Sequence, residues 1–154
     1  AIISIGIALG LSLIMQSMDK ERQTSSADMV HVTNHNLVDF ISSVQLMSKL
    51  ARVDWSNAVL TVDLAWTDET ARSVIYDDYV HLLASAFLNT ENIEQVYIRT
   101  IKYRSEHSRS KEIIEWLQAD RNHFLVQEYL DWLNRRVTSE EWIKTRFDVK
   151  DFRA

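Results

Sequence analysis

The chain has 154 residues, 46% hydrophobic and 25% charged, with 17 Lys and Arg against 22 Asp and Glu for a net charge of −5. That composition suits one folded domain with an ordinary core, argues against wholesale disorder, and lacks the basic excess of a general nucleic-acid binder. Cysteine and proline are absent and both glycines, Gly6 and Gly10, lie near the start, which excludes disulfides, thiolate metal sites and the glycine-dependent phosphate loops, nucleophile elbows and dinucleotide fingerprints.

Residues 1–15 read AIISIGIALGLSLIM, with only Ser4 and Ser12 as mildly polar interruptions. As a helix this run rises about 22 Å, short of the roughly 30 Å hydrocarbon core of a bilayer. The run lacks the polar face of a buried globular helix. Ser25-Ser26-Ala27, the one small-residue cleavage candidate, lies too far beyond it for a signal peptide. The expectation is a membrane helix whose first turns precede Ala1, with residues 1–22 forming the anchor and its flank. Gly6 and Gly10 form a G-x-x-x-G pair that lets two helices pack closely in lipid, although glycine is also common in membrane helices generally. The flank Asp19-Lys20-Glu21-Arg22 is balanced and gives no sidedness signal. An extracytoplasmic placement of the soluble domain is the preferred arrangement.

Residues 23–35 are polar and weakly patterned and read as a short tether or helix extension, and residues 36–154 as the soluble domain. Asn36 is a cap for a helix through about Arg52, in which Leu37, Phe40, Ile41, Val44, Met47 and Leu50 recur at helical spacing. Asp54 to Asn57 is a turn signal. From Ala58 to Trp66 the pattern alternates, with Leu60, Val62, Leu64 and Trp66 on one side, as in a half-buried strand. Thr67 or Asp68 caps a helix to about Leu88, and a second strand spans Ile93 to Tyr103. Strand, helix and strand in that order predict a β-α-β unit with parallel strands. Lys111 to Ala119 fits either a third strand or a helix capped by Ser110. A helix is expected from Asp120 to about Arg136, carrying Phe124, Leu125, Tyr129, Trp132 and Leu133. Thr138 with Glu141 forms a capping box for a last helix near Trp142 and Phe147. The fold class is α/β (α+β): a small two-layer sandwich with a β-α-β core, preceded by the transmembrane helix.

Within this stretch, residues 58–101 contain the alternating strand with Val62-Asp63-Leu64, the helix ending Ala86-Phe87-Leu88-Asn89-Thr90, and the strand Val96-Tyr97-Ile98. These features resemble the core of the GerMN-type domain of membrane-anchored sporulation and germination proteins. The resemblance implies a ring- or channel-forming structural role between membranes, without catalysis.

Several constellations invite a chemical reading beside a plain one. His31 and His35, one helical turn apart, have the spacing of a zinc pair but also suit two polar tether residues. Asp77, Asp78 and His81 suit a metal pair or an oriented imidazole, and equally a solvated helix face. Glu112 with Glu115, and Asp63 with Asp68, are candidate carboxylate pairs for acid–base work. Arg99, Lys102, Arg104, Arg109 and Lys111, interleaved with Tyr97 and Tyr103, form a basic stretch for an anionic surface, or a strand edge guarded by cations. Of the five tryptophans, Trp132 and Trp142 are candidate partner contacts.

No nucleophile motif is present. The expectation is therefore a non-enzymatic, membrane-anchored assembly component without catalytic residues, metal or cofactor. Its partners are the membrane and other proteins or further copies of itself, in a homo-oligomer, and not nucleic acid. The alternative is a tethered ligand-binding or sensor module.

Overall fold

The structure is a computed structural model that describes residues 29–103 and 110–153. The chain divides into two compact units, Ala1–Val30 and His31–Ala154. The expected anchor, with Gly6 and Gly10, lies outside the described residues, as do Arg104 and Arg109. Among the described residues no helix is long and apolar enough to cross a membrane.

The second unit is an α+β domain. Its elements are α1 (Leu37–Ser43), β1 (Lys49–Ser56), β2 (Val59–Trp66), α2 (Arg72–Leu88), β3 (Gln95–Tyr103), β4 (Lys111–Asp120), α3 (Val126–Leu133), α4 (Ser139–Arg146) and β5 (Asp148–Asp151). The five strands form one mixed sheet in the order β1-β2-β3-β4-β5. Only β2 and β3 run parallel, joined through α2, as the strand–helix–strand pattern predicts. Lys111 to Ala119 resolves as a strand, antiparallel to β3.

The core is built from one alternation. Leu60, Val62 and Leu64 of β2 are fully buried beside Val96 and Ile98 of β3 and Leu117 of β4. Each such side chain contributes roughly 1.5–3 kcal/mol on burial. Against them lies α2, which buries Ile75, Tyr76, Tyr79, Val80, Leu82, Leu83, Ala86 and Phe87 around nearly its whole circumference. Arg121 ends this helix from outside. Its Nη1 donates to the Phe87 carbonyl (2.7 Å), its Nη2 to the Thr90 carbonyl (3.0 Å) and its Nε to the Ile93 carbonyl (2.8 Å). A cation there satisfies carbonyls that a helix end leaves open and complements its dipole.

Four expectations about boundaries are corrected. The helix through Arg52 stops at Ser43, Val44 turns extended, and β1 takes up the rest. The buried Asp78 carboxylate accepts from the backbone N–H of Met47 and of Ser48, both at 2.8 Å, and so withdraws those amides from a helical ladder. The turn is then Asn57-Ala58, not Asp54 to Asn57. Both residues have positive φ, 51° and 63°, as a two-residue type I′ hairpin requires. Without glycine, the cost is roughly 1 kcal/mol at the alanine.

The start of α2 moves from Thr67 or Asp68 to Arg72, because the Thr67 hydroxyl bonds that of Thr70 (2.7 Å) and closes a separate turn. The helix expected from Asp120 begins only at Val126. Asp120 completes β4, a 3₁₀ turn spans Arg121–His123, and Phe124 is extended and buried. The α4 start holds: the Thr138 hydroxyl accepts from the Glu141 N–H at 3.2 Å. The packed unit also begins earlier than Asn36, since Val32 is fully buried and pinned by Asn92, which accepts from its N–H (2.8 Å) and donates to its carbonyl (2.7 Å).

Candidate functional site

Three surfaces concentrate the chemistry. The first is a cleft of about 740 Å³ between α2 and the α3–α4 corner. Ser73, Asp77 and His81 of α2 stand one turn apart and form one wall. Arg135, Arg136 and Val137 with the first turn of α4 form the other. Arg135 takes a left-handed φ of 56° at the corner. Within the wall the Trp132 indole donates to the Ser139 hydroxyl at 2.7 Å, and that hydroxyl donates to the Asp77 carboxylate. The His81 ring meets Trp132 edge-on at 5.6 Å.

This geometry decides the α2 trio. Asp78 faces inward as the clamp for Met47 and Ser48, whereas Asp77 and His81 face the cleft. Asp77 is engaged by Ser139, which therefore points its proton at a carboxylate and not at an imidazole. A Ser-His-Asp relay needs the opposite arrangement. Among the described residues no three His, Asp or Glu groups gather where they could hold a metal ion.

The second surface is the sheet face away from the helices. Strand register places Arg52, Asp63, Arg99, Trp116 and Lys150 in one row, and Asp54, Thr61, Tyr97, Gln118 and Asp148 in the next. Arg99 grips the buried Asp63 with two bonds, at 2.7 and 2.9 Å. Tyr97 stacks on Trp116 at 5.8 Å, and the Lys150 ammonium sits 5.1 Å from the Trp116 ring centre. The middle of the face thus covers itself with an ion pair and ring contacts.

The basic stretch is correspondingly weaker for anions than its sequence suggests. Arg99 is committed to Asp63, and Lys102 reaches Asp68 at 2.6 Å. Lys111 is exposed at the start of β4. Those same contacts dissolve the Asp63–Asp68 carboxylate pair, because each acid has its own cation. Glu112 and Glu115 part as well: Glu112 is exposed beside Lys102, while Glu115 is buried. There it accepts from the Tyr76 hydroxyl at 2.8 Å and from Arg153 at 3.0 Å. Arg72 and Arg153 both reach Asp151, at 3.1 and 2.7 Å. The Arg153 hydrogen bond holds the Asp151 carboxyl well below the usual carboxylate range despite opposing desolvation. Burial, reinforced by Glu115, pushes the Tyr76 phenol up to about 12. The network fastens β5 and the residues after it to α2. His31 pairs with Glu91 (2.7 Å) rather than with His35.

The third surface is α3. Trp142 is 4% exposed, with its indole donating to Glu128 at 3.0 Å. It belongs to a ring cluster with Phe124, Tyr129 and Phe147, so its expected role as a partner contact is corrected to a core one. Trp132 is half-buried, stacked on Tyr129 at 5.7 Å. What α3 presents outward is instead Val126, Leu130 and Leu133, with Leu125 just before it, each between 42% and 52% exposed. Leu133, one of the apolar residues named for the expected helix, is on the surface because the apolar arc of this helix is too wide for one contact, and Leu125, another of them, precedes the helix. Val126, Leu130 and Leu133 repeat at i, i+4, i+7 alongside Tyr129 and Trp132. That second stripe was the available signal.

No protein-family model, curated protein or solved structure matches this chain.

Proposed function

We propose that this chain is a membrane-anchored structural component of an oligomeric envelope assembly, acting through protein–protein contacts. In this reading residues 1–22 are the anchor, residues 23–30 the tether, and the unit from His31 onward a two-layer α+β sandwich held on the extracytoplasmic side. The GerMN-like strand–helix–strand pattern of residues 58–101 accords with it. The observation that carries it is the α3 stripe. Three exposed apolar side chains at i, i+4 and i+7 on one helix face, with exposed Leu125 just before the helix, mark a contact surface. The occupant is another protein, because most of the charges nearest the stripe are paired. Arg146 holds Glu128 (2.8 Å) and Arg136 holds Asp131 (3.1 Å), so that among the described residues Arg135 alone is an exposed, unpaired cation beside the stripe, far short of the basic face that an anionic lipid surface selects.

The test is light scattering of the detergent-solubilised chain, together with crosslinking in its membrane, for the wild type and for L130E/L133E. A wild-type mass above the monomer, or a discrete crosslinked complex, that the double variant loses while keeping its thermal unfolding transition supports the reading. A wild type that is monomeric and uncrosslinked, or contacts untouched by the two charges, overturns it.

The cleft favours a second reading, a tethered module for a small ligand. Asp77 on one wall, and Glu140 and Glu141 with Arg135 and Arg136 on the other, offer both signs of charge around Trp132, which suits a zwitterionic peptide or amino-sugar fragment. Quenching or shift of Trp132 fluorescence by such fragments, lost in H81A and W132F, would favour it over the first.

A further inference from the structure

We infer that the free edge of β1 pairs with β1 of a second copy of this chain, antiparallel, about a two-fold axis through Val53. The inference rests on the assembly reading above and names one of the contacts by which copies associate.

The register of the hairpin fixes which backbone groups are free. The two-residue turn Asn57-Ala58 closes on Ser56 opposite Val59. In an antiparallel ladder bonded and non-bonded pairs alternate, so Ser56, Asp54 and Arg52 are the residues whose amides and carbonyls face β2. Those of Val53 and Trp55 point the other way. Because β1 is the outermost strand of the sheet among the described residues, they point along an open edge. A bulge at Ala51, where the register steps from Leu50 to Arg52, bounds the regular part of that edge.

A strand that pairs with its own copy can do so in few registers, and side-chain charge separates them. Arg52 and Asp54 lie on the same face of the strand, are both exposed, and have no ion-pair partner among the described residues. With the axis on Arg52 or on Asp54, identical charges stand opposite each other. With the axis on Trp55, Asp54 faces Ser56 and the ladder runs into the turn. Only the axis on Val53 sets each Arg52 opposite Asp54 of the second copy, twice by symmetry. The same register makes Val53 opposite Val53 a hydrogen-bonded pair, so that its outward N–H and C=O are satisfied reciprocally, and it brings two β-branched side chains together on the core side. Edge charges that serve as guards repel a second copy. These are self-complementary instead, as an isologous interface requires.

The ladder is short, bounded by the bulge and the turn. Its strength therefore depends on the high effective concentration that a shared membrane supplies. That fits a contact made within an assembly better than a tight dimer in dilute solution.

The test uses V53C in the 154-residue chain, which has no cysteine of its own. In the proposed register the two Cα atoms lie about 5.5 Å apart, within disulfide range. Mild oxidation in detergent micelles or membranes is expected to give a disulfide dimer. Adding R52D or D54R should each lower its yield about tenfold, because either change sets two like pairs opposite each other. Mixing the R52D and D54R chains in equal amounts should restore it. In the mixed dimer the introduced carboxylate faces the introduced guanidinium, and native Asp54 faces native Arg52. A variant that had merely lost its fold would not be rescued by mixing. A yield indifferent to both charge reversals, or no rescue on mixing, overturns the inference. So does the absence of a V53C dimer in a chain that light scattering shows to be multimeric, and in that case the assembly reading stands without this contact. A chain that is monomeric throughout overturns both.

Discussion

The helices α2 and α3 are both rich in apolar residues, yet one is buried on nearly every side and the other has no buried residue at all. The difference lies in what surrounds them. The sheet covers one side of α2, and α4 and the C-terminal network cover much of another, so Tyr76, Tyr79, Leu82 and Leu83 all find partners. By contrast, α3 leans on the ring cluster through Tyr129 and Trp132, and nothing in the described chain covers Val126, Leu130 and Leu133. Apolar content fixes what a helix would gain from burial. It does not fix whether the cover comes from its own chain.

The largest expected effect separates the two helices directly. Leu83→Ala removes a fully buried side chain from the centre of α2. It should cost about 2–5 kcal/mol, the lost transfer energy plus a cavity between well-packed neighbours. Denaturant unfolding at constant m-value measures it. A cost below about 1 kcal/mol would mean that α2 is not the rigid centre its burial indicates.

How much of this was legible in the sequence depends on the same division. The alternation in Leu60, Val62 and Leu64, the long run to Leu88, and Thr138 three residues before Glu141 are local signals, and they placed β2, α2 and α4. Where a distant residue decides, the local signal misled. Val44, Met47 and Leu50 recur at helical spacing, but Asp78, thirty residues on, takes the amides of Met47 and Ser48 and turns the chain into β1. The basic stretch looked free because Asp63, the partner of Arg99, lies on another strand. With only four residues, β5 is too short to show a period. Trp132 and Trp142 carry the same residue-level signal, and only the packing of α4 onto the ring cluster tells the buried one from the half-exposed one. The cleft was half visible: Asp77 and His81 share a helix face in any reading, whereas Ser139 joins them only through the tertiary fold.

A smaller effect sharpens the account of α2 at its contact with β4 and β5. Tyr76 titrates near 12 in the folded protein because burial disfavours the phenolate, and Glu115 adds to this. An unfolded tyrosine titrates near 10. The folded state therefore holds this proton more tightly, and its contribution is fully present below pH 10 and lost as pH rises toward 12. The loss should be on the order of 2 kcal/mol across that window. Tyr76→Phe, which cannot ionise, should show a shallower decline in unfolding free energy between pH 10 and 12. Some slope should persist, since burial also raises Tyr79 well above its ordinary value. Equal slopes in the two proteins would remove the phenol from the account.

The smallest expected effect bears hardest on α3. Leu130 sits in the middle of the stripe and is 42% exposed. In the isolated chain Leu130→Ser should shift stability by no more than about 0.5 kcal/mol, the ordinary range for a surface change. Helix propensity explains whatever cost appears, because serine is a somewhat poorer helix former than leucine. The same substitution should weaken any complex in which another protein covers the stripe, since the apolar area of Leu130 is then removed from water only on association. The measurement is thus a pair: unfolding of the separated chain and apparent mass of the assembled one. If Leu130→Ser destabilises the lone chain as strongly as a core truncation, then α3 is covered by its own polypeptide, and the contrast with α2 disappears.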